Sequence, residues 1–115
     1  MLVTISGLPG SGTTTAGRLL ADALDWEFQS SGELFRAMAD ARGVTLAEFG
    51  ALAEDDKSID HELDARAVAL MSTGTGLVME GRLTGWIAFR DKFASIRVWL
   101  ESDSTIRAQR VADRD

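Results

Sequence analysis

The stretch TISGLPGSGTTTAGRLL, residues 4–20, decides the fold of this chain. Phosphate-binding loops read G-x-x-x-x-G-K-[ST], and Gly7, Gly12 and Thr14 occupy their positions in that motif. Thr13 stands where the motif has its lysine. Because a short β-branched run precedes the glycines and helically spaced apolar residues follow them, the stretch predicts a strand, a tight loop and a helix.

The glycine loop has a functional and a structural interpretation. Glycines let successive N–H groups converge on a phosphate, and the start of the following helix adds a favourable dipole. A tight turn also uses flexible residues, but three glycines in six positions followed by three threonines exceed what a turn requires. We therefore predict phosphate binding by Gly7, Leu8, Pro9, Gly10, Ser11, Gly12, Thr13, Thr14 and Thr15, with the Thr14 hydroxyl as a Mg²⁺ ligand.

The dinucleotide fingerprint G-x-G-x-x-G competes for the same residues. Counting from Gly10 and Gly12, its third glycine falls on Thr15, so the Rossmann interpretation is disfavoured. Thr13 removes a positive charge from the loop, because the lysine usually found at this position reaches the β- and γ-phosphates. Either another cation supplies that charge or phosphoryl transfer is slow.

Composition excludes several classes of protein. The 115 residues support one domain, and a net charge of −6 argues against a broad nucleic-acid surface. Ten of the twelve basic residues are arginine, which suits a cleft for a small phosphorylated ligand. The chain has no cysteine, no signal peptide fits before the loop, and no membrane span is expected, so the cytoplasm is the expected location.

Strands alternate with helices along the rest of the chain, which predicts an α/β fold with a mostly parallel sheet and helices on both faces. We predict strands within residues 26–30, 76–81 and 95–102. Helices are predicted in 30–43, capped by Ser30 or Ser31, and in 45–56, capped by Thr45 with Glu48. Two longer helical stretches are predicted in 58–74, ending at Gly74 or Gly76, and in 104–115, with a loop or short helix in 82–92.

Side-chain positions follow from this pattern. Ligands of such sheets bind beyond the carboxyl ends of the strands, which are marked by Gly7, Gly81 and the residues after Leu100. Trp86 and Trp99 are expected in the core. His61, the single histidine, has acidic neighbours on a predicted helix and receives no catalytic role.

Five blocks in order carry a resemblance to a known family: ISGLPGSGTTT (5–15), SSGELFRAMA (30–39), TLAEFGALAEDD (45–56), IDHELDAR (59–66) and MEGRLTGW (79–86). Together they resemble the archaeal type of cytidylate kinase, a branch of the P-loop nucleoside monophosphate kinases. The resemblance implies a P-loop NTPase fold and transfer of the γ-phosphoryl group of ATP to CMP or dCMP with Mg²⁺.

The resemblance also implies roles for residues outside the loop. The matching segments contact the monophosphate substrate at Ser31, Gly32, Arg36, Glu80, Gly81 and Arg82, with Arg36 and Arg82 at its phosphate. Glu80 either orients Mg²⁺-bound water or contacts the cytosine base, and both roles remain open. Arg107, Arg110 and Arg114 resemble the arginines that lead into the mobile lid, where positive charge stabilises the transferring phosphoryl group; a solvated basic face is the alternative.

Family members continue beyond the position that matches Asp115, through the lid and a last strand. Residues 1–115 are therefore expected to form a single kinase domain without that strand and lid. The strand in 95–102 then becomes a sheet edge, which predicts self-association. Three hypotheses follow: a cytidylate kinase, a nucleotide-binding protein without turnover, and another small-molecule kinase.

Overall fold

The computed structural model describes residues 1–73 and 76–114, and the Arg114 side chain lies outside that description. The strands are β1 (Leu2–Gly7), β2 (Glu27–Ser30), β3 (Leu77–Glu80) and β4 (Ser95–Leu100). The helices are α1 (Thr13–Leu24), α2 (Ser31–Ala41), α3 (Leu46–Asp55), α4 (Lys57–Met71), α5 (Thr84–Arg90) and α6 (Ser104–Arg114).

The strands form one parallel sheet in the order β2-β3-β1-β4. Strand β1 is central, with Ile5 paired to Glu80 of β3 and Gly7 paired to Leu100 of β4. Ser30 of β2 pairs with Glu80 on the other side of β3. This register brings the carboxyl ends of all four strands to the same edge of the sheet.

Apolar residues cover both faces of the sheet. On one face Val3, Ile5 and Val78 pack with Ala21 of α1, and on the other Leu2 and Leu77 pack with residues of α4 and α5 such as Ala67 and Ile87. Burying both faces of a parallel sheet requires a helix layer on each side. The predicted three-layer α/β fold is therefore confirmed.

A third cluster holds α2, α3 and α4 together beside the sheet. Phe49 of α3 is fully buried and packs among Met38, Ala39 and Ile59. Its ring lies 4.7 Å from that of Phe35, measured between centroids. This cluster fixes the orientation of α2, whose first turn borders the candidate site.

Capping residues in the sequence predicted the starts of α2 and α3 correctly. The side chains of Ser30 and Thr45 cap α2 and α3, and Thr45 and Glu48 complete the predicted capping box. The segment in 82–92 is a short helix, α5. Of the two glycines proposed to end α4, Gly74 lies outside the described residues.

Two expectations about packing were wrong. Trp86 and Trp99 are 57% and 52% exposed rather than buried. The helically spaced apolar residues predicted for α1 include Ala16, Leu19 and Leu20: Ala16 and Leu20 pack against the core, whereas Leu19 is 65% exposed, and Gly17 is buried instead. The ring of Phe28 lies 2.6 Å from where a Cβ at Gly17 would be, so a glycine there lets α1 approach β2.

Candidate active site

The glycine loop joins β1 to α1 at the carboxyl edge of the sheet. Gly10 and Gly12 adopt φ angles of 82° and 85°, which L side chains rarely adopt, so the conformation requires glycine at both positions. The Ser11 N–H donates to the Leu8 carbonyl at 3.1 Å and closes a turn between the two ends of the loop. The predicted strand, loop and helix are all present.

Helix α1 begins at this loop without a side-chain cap. Its N-cap residue is Gly12, and no side chain accepts a hydrogen bond from the first turn. The first N–H groups of any helix lack partners within the helix, and together with the helix dipole they attract anions. The three threonines Thr13–Thr15 carry these N–H groups, so the start of α1 suits a phosphate.

Glu80 lies at the centre of a group of hydroxyls. Its carboxylate accepts hydrogen bonds from Thr13 Oγ1 at 2.9 Å, Thr14 Oγ1 at 3.1 Å and Ser30 Oγ at 2.8 Å. The side chain is only 8% exposed, and its partners come from the ends of two different strand–helix units. The cluster therefore ties the first turn of α1 to the junction of β2 and α2.

Ser30 is a site residue that sequence reasoning assigned only as a possible helix cap. Its hydroxyl donates to Glu80 and accepts from the Glu33 N–H at 3.4 Å, so it caps α2 and holds the carboxylate at the same time. Position at the carboxyl end of β2 was the signal that could have found it.

The first turn of α2 contacts the loop after β3. Ser31 Cβ would lie 2.7 Å from a Cβ added at Gly81, so only glycine allows this approach. Gly32 follows at an exposed position of the same turn. The structure therefore brings together Ser31, Glu80 and Gly81, and their contact with a monophosphate substrate stays a prediction.

Arg36 and Arg82 flank this contact, Arg36 on α2 and Arg82 in the loop after β3, next to Gly81. Both are exposed. Among residues 1–73 and 76–114 neither guanidinium forms a hydrogen bond or an ion pair. Their donors are therefore available to a ligand, and their role at a substrate phosphate stays a prediction.

Helix α6 packs against the glycine loop from the β4 side. The Arg107 backbone lies so close to Gly10 that a Cβ there would come within 2.8 Å of Arg107 Cα. Arg110 Nη1 donates to the Gly10 carbonyl at 3.0 Å, while Arg107 Nε donates to the Ser102 carbonyl at 3.2 Å. Arg110 thus reaches the loop, and the structure leaves the Arg114 side chain undescribed.

A cavity of about 220 Å³ lies between the loop and the end of β4, lined among others by Ser11, Trp99, Ser102 and Arg107. The hydroxyls of Ser11 and Ser102 are buried and have no hydrogen-bond partner among the residues that the structure describes. Buried hydroxyls without partners are costly, so a ligand that hydrogen-bonds to them would gain affinity.

The resolved pKa shifts fall outside this site. The hydrogen bonds that Arg90 donates to the carboxylates of Asp91 and Asp64 raise the pKa of Arg90, and Arg90 in turn lowers the pKa of Asp91. The Ser58 hydroxyl and N–H lower the pKa of Asp56, the N-cap residue of α4. These groups stabilise helix ends away from the glycine loop.

The fold and the loop together define a class of protein. A parallel sheet whose central first strand runs through a glycine loop into an uncapped helix is the P-loop type of α/β nucleotide-binding domain. The chain belongs to the family described as the AAA domain, which matches residues 3–115.

Curated relatives of this chain are cytidylate kinases from archaea. The chain is 47% identical over 115 residues to the cytidylate kinase of Methanococcoides burtonii and 46% identical to that of Halobacterium salinarum, covering 100% of this chain in both cases. The shares of those proteins that are covered are 63% and 59%, so the chain spans about three fifths of their length.

A solved structure supports the fold. A crystal structure of a protein from Chloroflexus aurantiacus superposes with a TM-score of 0.70 at 21% identity, covering 98% of this chain and 65% of that one. Within the described residues, no helix combines the length and apolarity needed to cross a membrane.

Proposed function

We propose that this chain provides the loop and the acceptor side of an ATP-dependent cytidylate kinase, which transfers the γ-phosphoryl group of ATP to CMP or dCMP in the cytoplasm. One observation carries the proposal: Glu80 is hydrogen-bonded to hydroxyls from the glycine loop and from the start of α2. Donor and acceptor segments thus meet at one carboxylate. The names of the archaeal relatives supply the acceptor.

On the donor side, the N–H groups at the start of α1 would face the phosphates of ATP. The loop glycines leave no side chain over these groups, so the phosphates can approach the backbone closely. The cavity beside the loop, with its unpaired Ser11 and Ser102 hydroxyls, is our candidate for the remainder of the donor nucleotide.

The residues present fit a magnesium ion. Thr14 and Glu80 offer hydroxyl and carboxylate oxygens next to the loop, which are the hard ligands that Mg²⁺ prefers, and phosphates and water commonly complete its shell. When bound, the ion would neutralise charge on the phosphates. The three hydroxyls around Glu80 hold its carboxylate towards the loop, which favours the metal-side role of Glu80 over contact with the base.

On the acceptor side, Arg36 and Arg82 would bind the phosphate of CMP, supported by Ser31, Gly32 and Gly81. An oxygen of that phosphate attacks the γ-phosphorus of ATP, the bond from the γ-phosphorus to the β–γ bridging oxygen breaks, and CDP and ADP result. The protein's contribution is to align the two nucleotides and to stabilise negative charge, because such transfers need little proton chemistry.

The α6 arginines Arg107, Arg110 and Arg114 are proposed to stabilise that charge, and Arg110 already contacts the loop. The second candidate function is nucleotide binding without turnover. It is supported by Thr13, which stands where phosphate-binding loops carry the lysine that reaches the β- and γ-phosphates.

The test is ADP release with CMP, dCMP, UMP or AMP as acceptor, combined with calorimetric titration of ATP and CMP. We expect both nucleotides to bind, and CMP or dCMP to stimulate ADP release more than AMP does. Binding of both without ADP release would favour the second candidate. Failure of both nucleotides to bind would contradict both candidates.

A further inference from the structure

The glycine loop lacks a cation of its own. Thr13 occupies the lysine position, and its hydroxyl is committed to Glu80 Oε2 at 2.9 Å. This contact places a carboxylate, rather than an ammonium group, beside the start of α1. Apart from the proposed magnesium ion, a triphosphate bound there would therefore meet no compensating positive charge unless another side chain brings one.

Helix α6 brings such a side chain from a distant part of the sequence. Arg110 Nη1 donates to the Gly10 carbonyl at 3.0 Å and lies 3.5 Å from the position that a Cβ would take at Gly12. This nitrogen thus lies close to both loop glycines with positive φ. The guanidinium has five N–H donors, of which one is used by Gly10, so the others can face phosphate oxygens.

Neighbouring arginines are engaged elsewhere. Arg107 donates to the Ser102 carbonyl, and Arg18 of α1 pairs with Glu33 of α2. Within residues 1–73 and 76–114, excluding the Arg114 side chain, Arg110 is the cationic side chain that hydrogen-bonds to the loop.

We propose that Arg110 replaces the missing lysine of the glycine loop, so that it binds the triphosphate in the ground state as well as during transfer. The inference rests on the proposed nucleotide function and deepens it. It differs from the role proposed above for the α6 arginines, which is to stabilise charge during transfer. A residue that acts only in the transition state changes the rate and leaves triphosphate affinity unchanged.

The experiment measures binding of Mg-ATP and of inorganic tripolyphosphate by calorimetry, with CMP as the second ligand. Arg110→Ala should weaken both triphosphates at least about tenfold, the loss expected for one charge-assisted contact, and leave CMP affinity nearly unchanged. Arg66→Ala is the matched control, because it removes the same charge from α4, where Arg66 pairs with Glu62. Triphosphate affinity that survives Arg110→Ala overturns the inference.

A second variant tests whether a lysine at position 13 can take the place of Arg110. Thr13→Lys should raise the ATP affinity of the parent chain little, because the charge is already supplied, but should restore affinity to Arg110→Ala, so that the two changes are strongly non-additive. Additive effects, or a large gain in the parent chain, overturn the inference even if Arg110→Ala folds poorly.

These outcomes separate the inference from the function on which it rests. If the parent chain binds neither triphosphate, the proposed function fails. If the parent binds both and Arg110→Ala binds them equally well, the function stands and the role of Arg110 is wrong.

Discussion

At the scale of single residues, the site depends on one buried carboxylate and the hydroxyls around it. Glu80 accepts from Thr13, Thr14 and Ser30, and these contacts span 67, 66 and 50 positions of sequence. These hydroxyls satisfy the carboxylate, and no cationic side chain in the described part of the chain pairs with it. A bound cation nearby would add a favourable interaction to a carboxylate that is already oriented towards the loop.

Replacing Thr14 with Ala tests the metal at this scale. The change removes a proposed Mg²⁺ ligand and one hydrogen bond to Glu80, so Mg-ATP binding should weaken more than binding of metal-free ATP. Calorimetric titrations with Mg²⁺ and with a chelator measure both affinities. An equal loss of both affinities in Thr14→Ala would remove the metal role.

Arg36 and Arg82 belong to a separate prediction at the residue scale. Truncating either arginine to Ala should cost on the order of 2 kcal/mol in CMP binding, the scale of a charge-assisted hydrogen bond, and should leave ATP binding nearly unchanged. Arg66→Ala again controls for net charge. CMP affinity that survives both truncations would refute this assignment.

At the scale of elements, α2 carries acceptor residues and takes its orientation from the cluster around Phe49. That ring is fully buried, contacts Phe35 of α2, and lies under the guanidinium of Arg42 at 5.2 Å from its centroid. The orientation of α2 is thus set by apolar packing outside the site, while its first turn is fixed inside the site by Ser30.

Phe49→Ala should destabilise the protein by about 3 to 5 kcal/mol, the usual cost of removing a buried aromatic ring. Because the space left by the missing ring would adjoin Met38 and Ala39 of α2, the same change should weaken CMP binding more than ATP binding in the fraction that remains folded. Chemical denaturation measures the loss in free energy of unfolding, and titration with CMP and ATP measures the change in each affinity. Leu52→Ala, an exposed position of α3, is the matched control. An equal loss of CMP and ATP affinity would contradict the role of α2 in CMP binding.

The elements also show what could be predicted from sequence. The strand, loop and helix of residues 2–24 and the caps at Ser30 and Thr45 follow from patterns over a few residues. The contact between Arg110 and Gly10 joins residues 100 positions apart, and local patterns carry no signal for it. The same holds for the exposed Trp86 and Trp99, because periodicity shows which residues share a face but not whether another element covers that face.

At the scale of the whole molecule, the sheet presents β4 as an edge. In the described residues its one strand neighbour is β1, which leaves the backbone groups of its other side unpaired in the sheet. Ile96 and Trp99 are 55% and 52% exposed on this strand. An apolar strand with an unpaired edge favours pairing with another chain.

The 115-residue chain is therefore expected to self-associate through β4. Sedimentation over a range of concentrations should show dimers or larger species, and Ile96→Lys should reduce them, because an edge lysine opposes strand pairing. Leu52→Lys places the same charge on α3 and should leave association unchanged. A monomer at every concentration would contradict this prediction.

The central claim is that one chain brings a triphosphate and CMP together for transfer. It is tested most directly by a single-turnover experiment with the protein in excess over ATP labelled in the γ-phosphate, Mg²⁺ and saturating CMP. The account predicts label in CDP, formed together with ADP, and much less of it with AMP as acceptor or in Arg36→Ala. Label that remains in ATP, or that appears as inorganic phosphate independently of CMP, would contradict it.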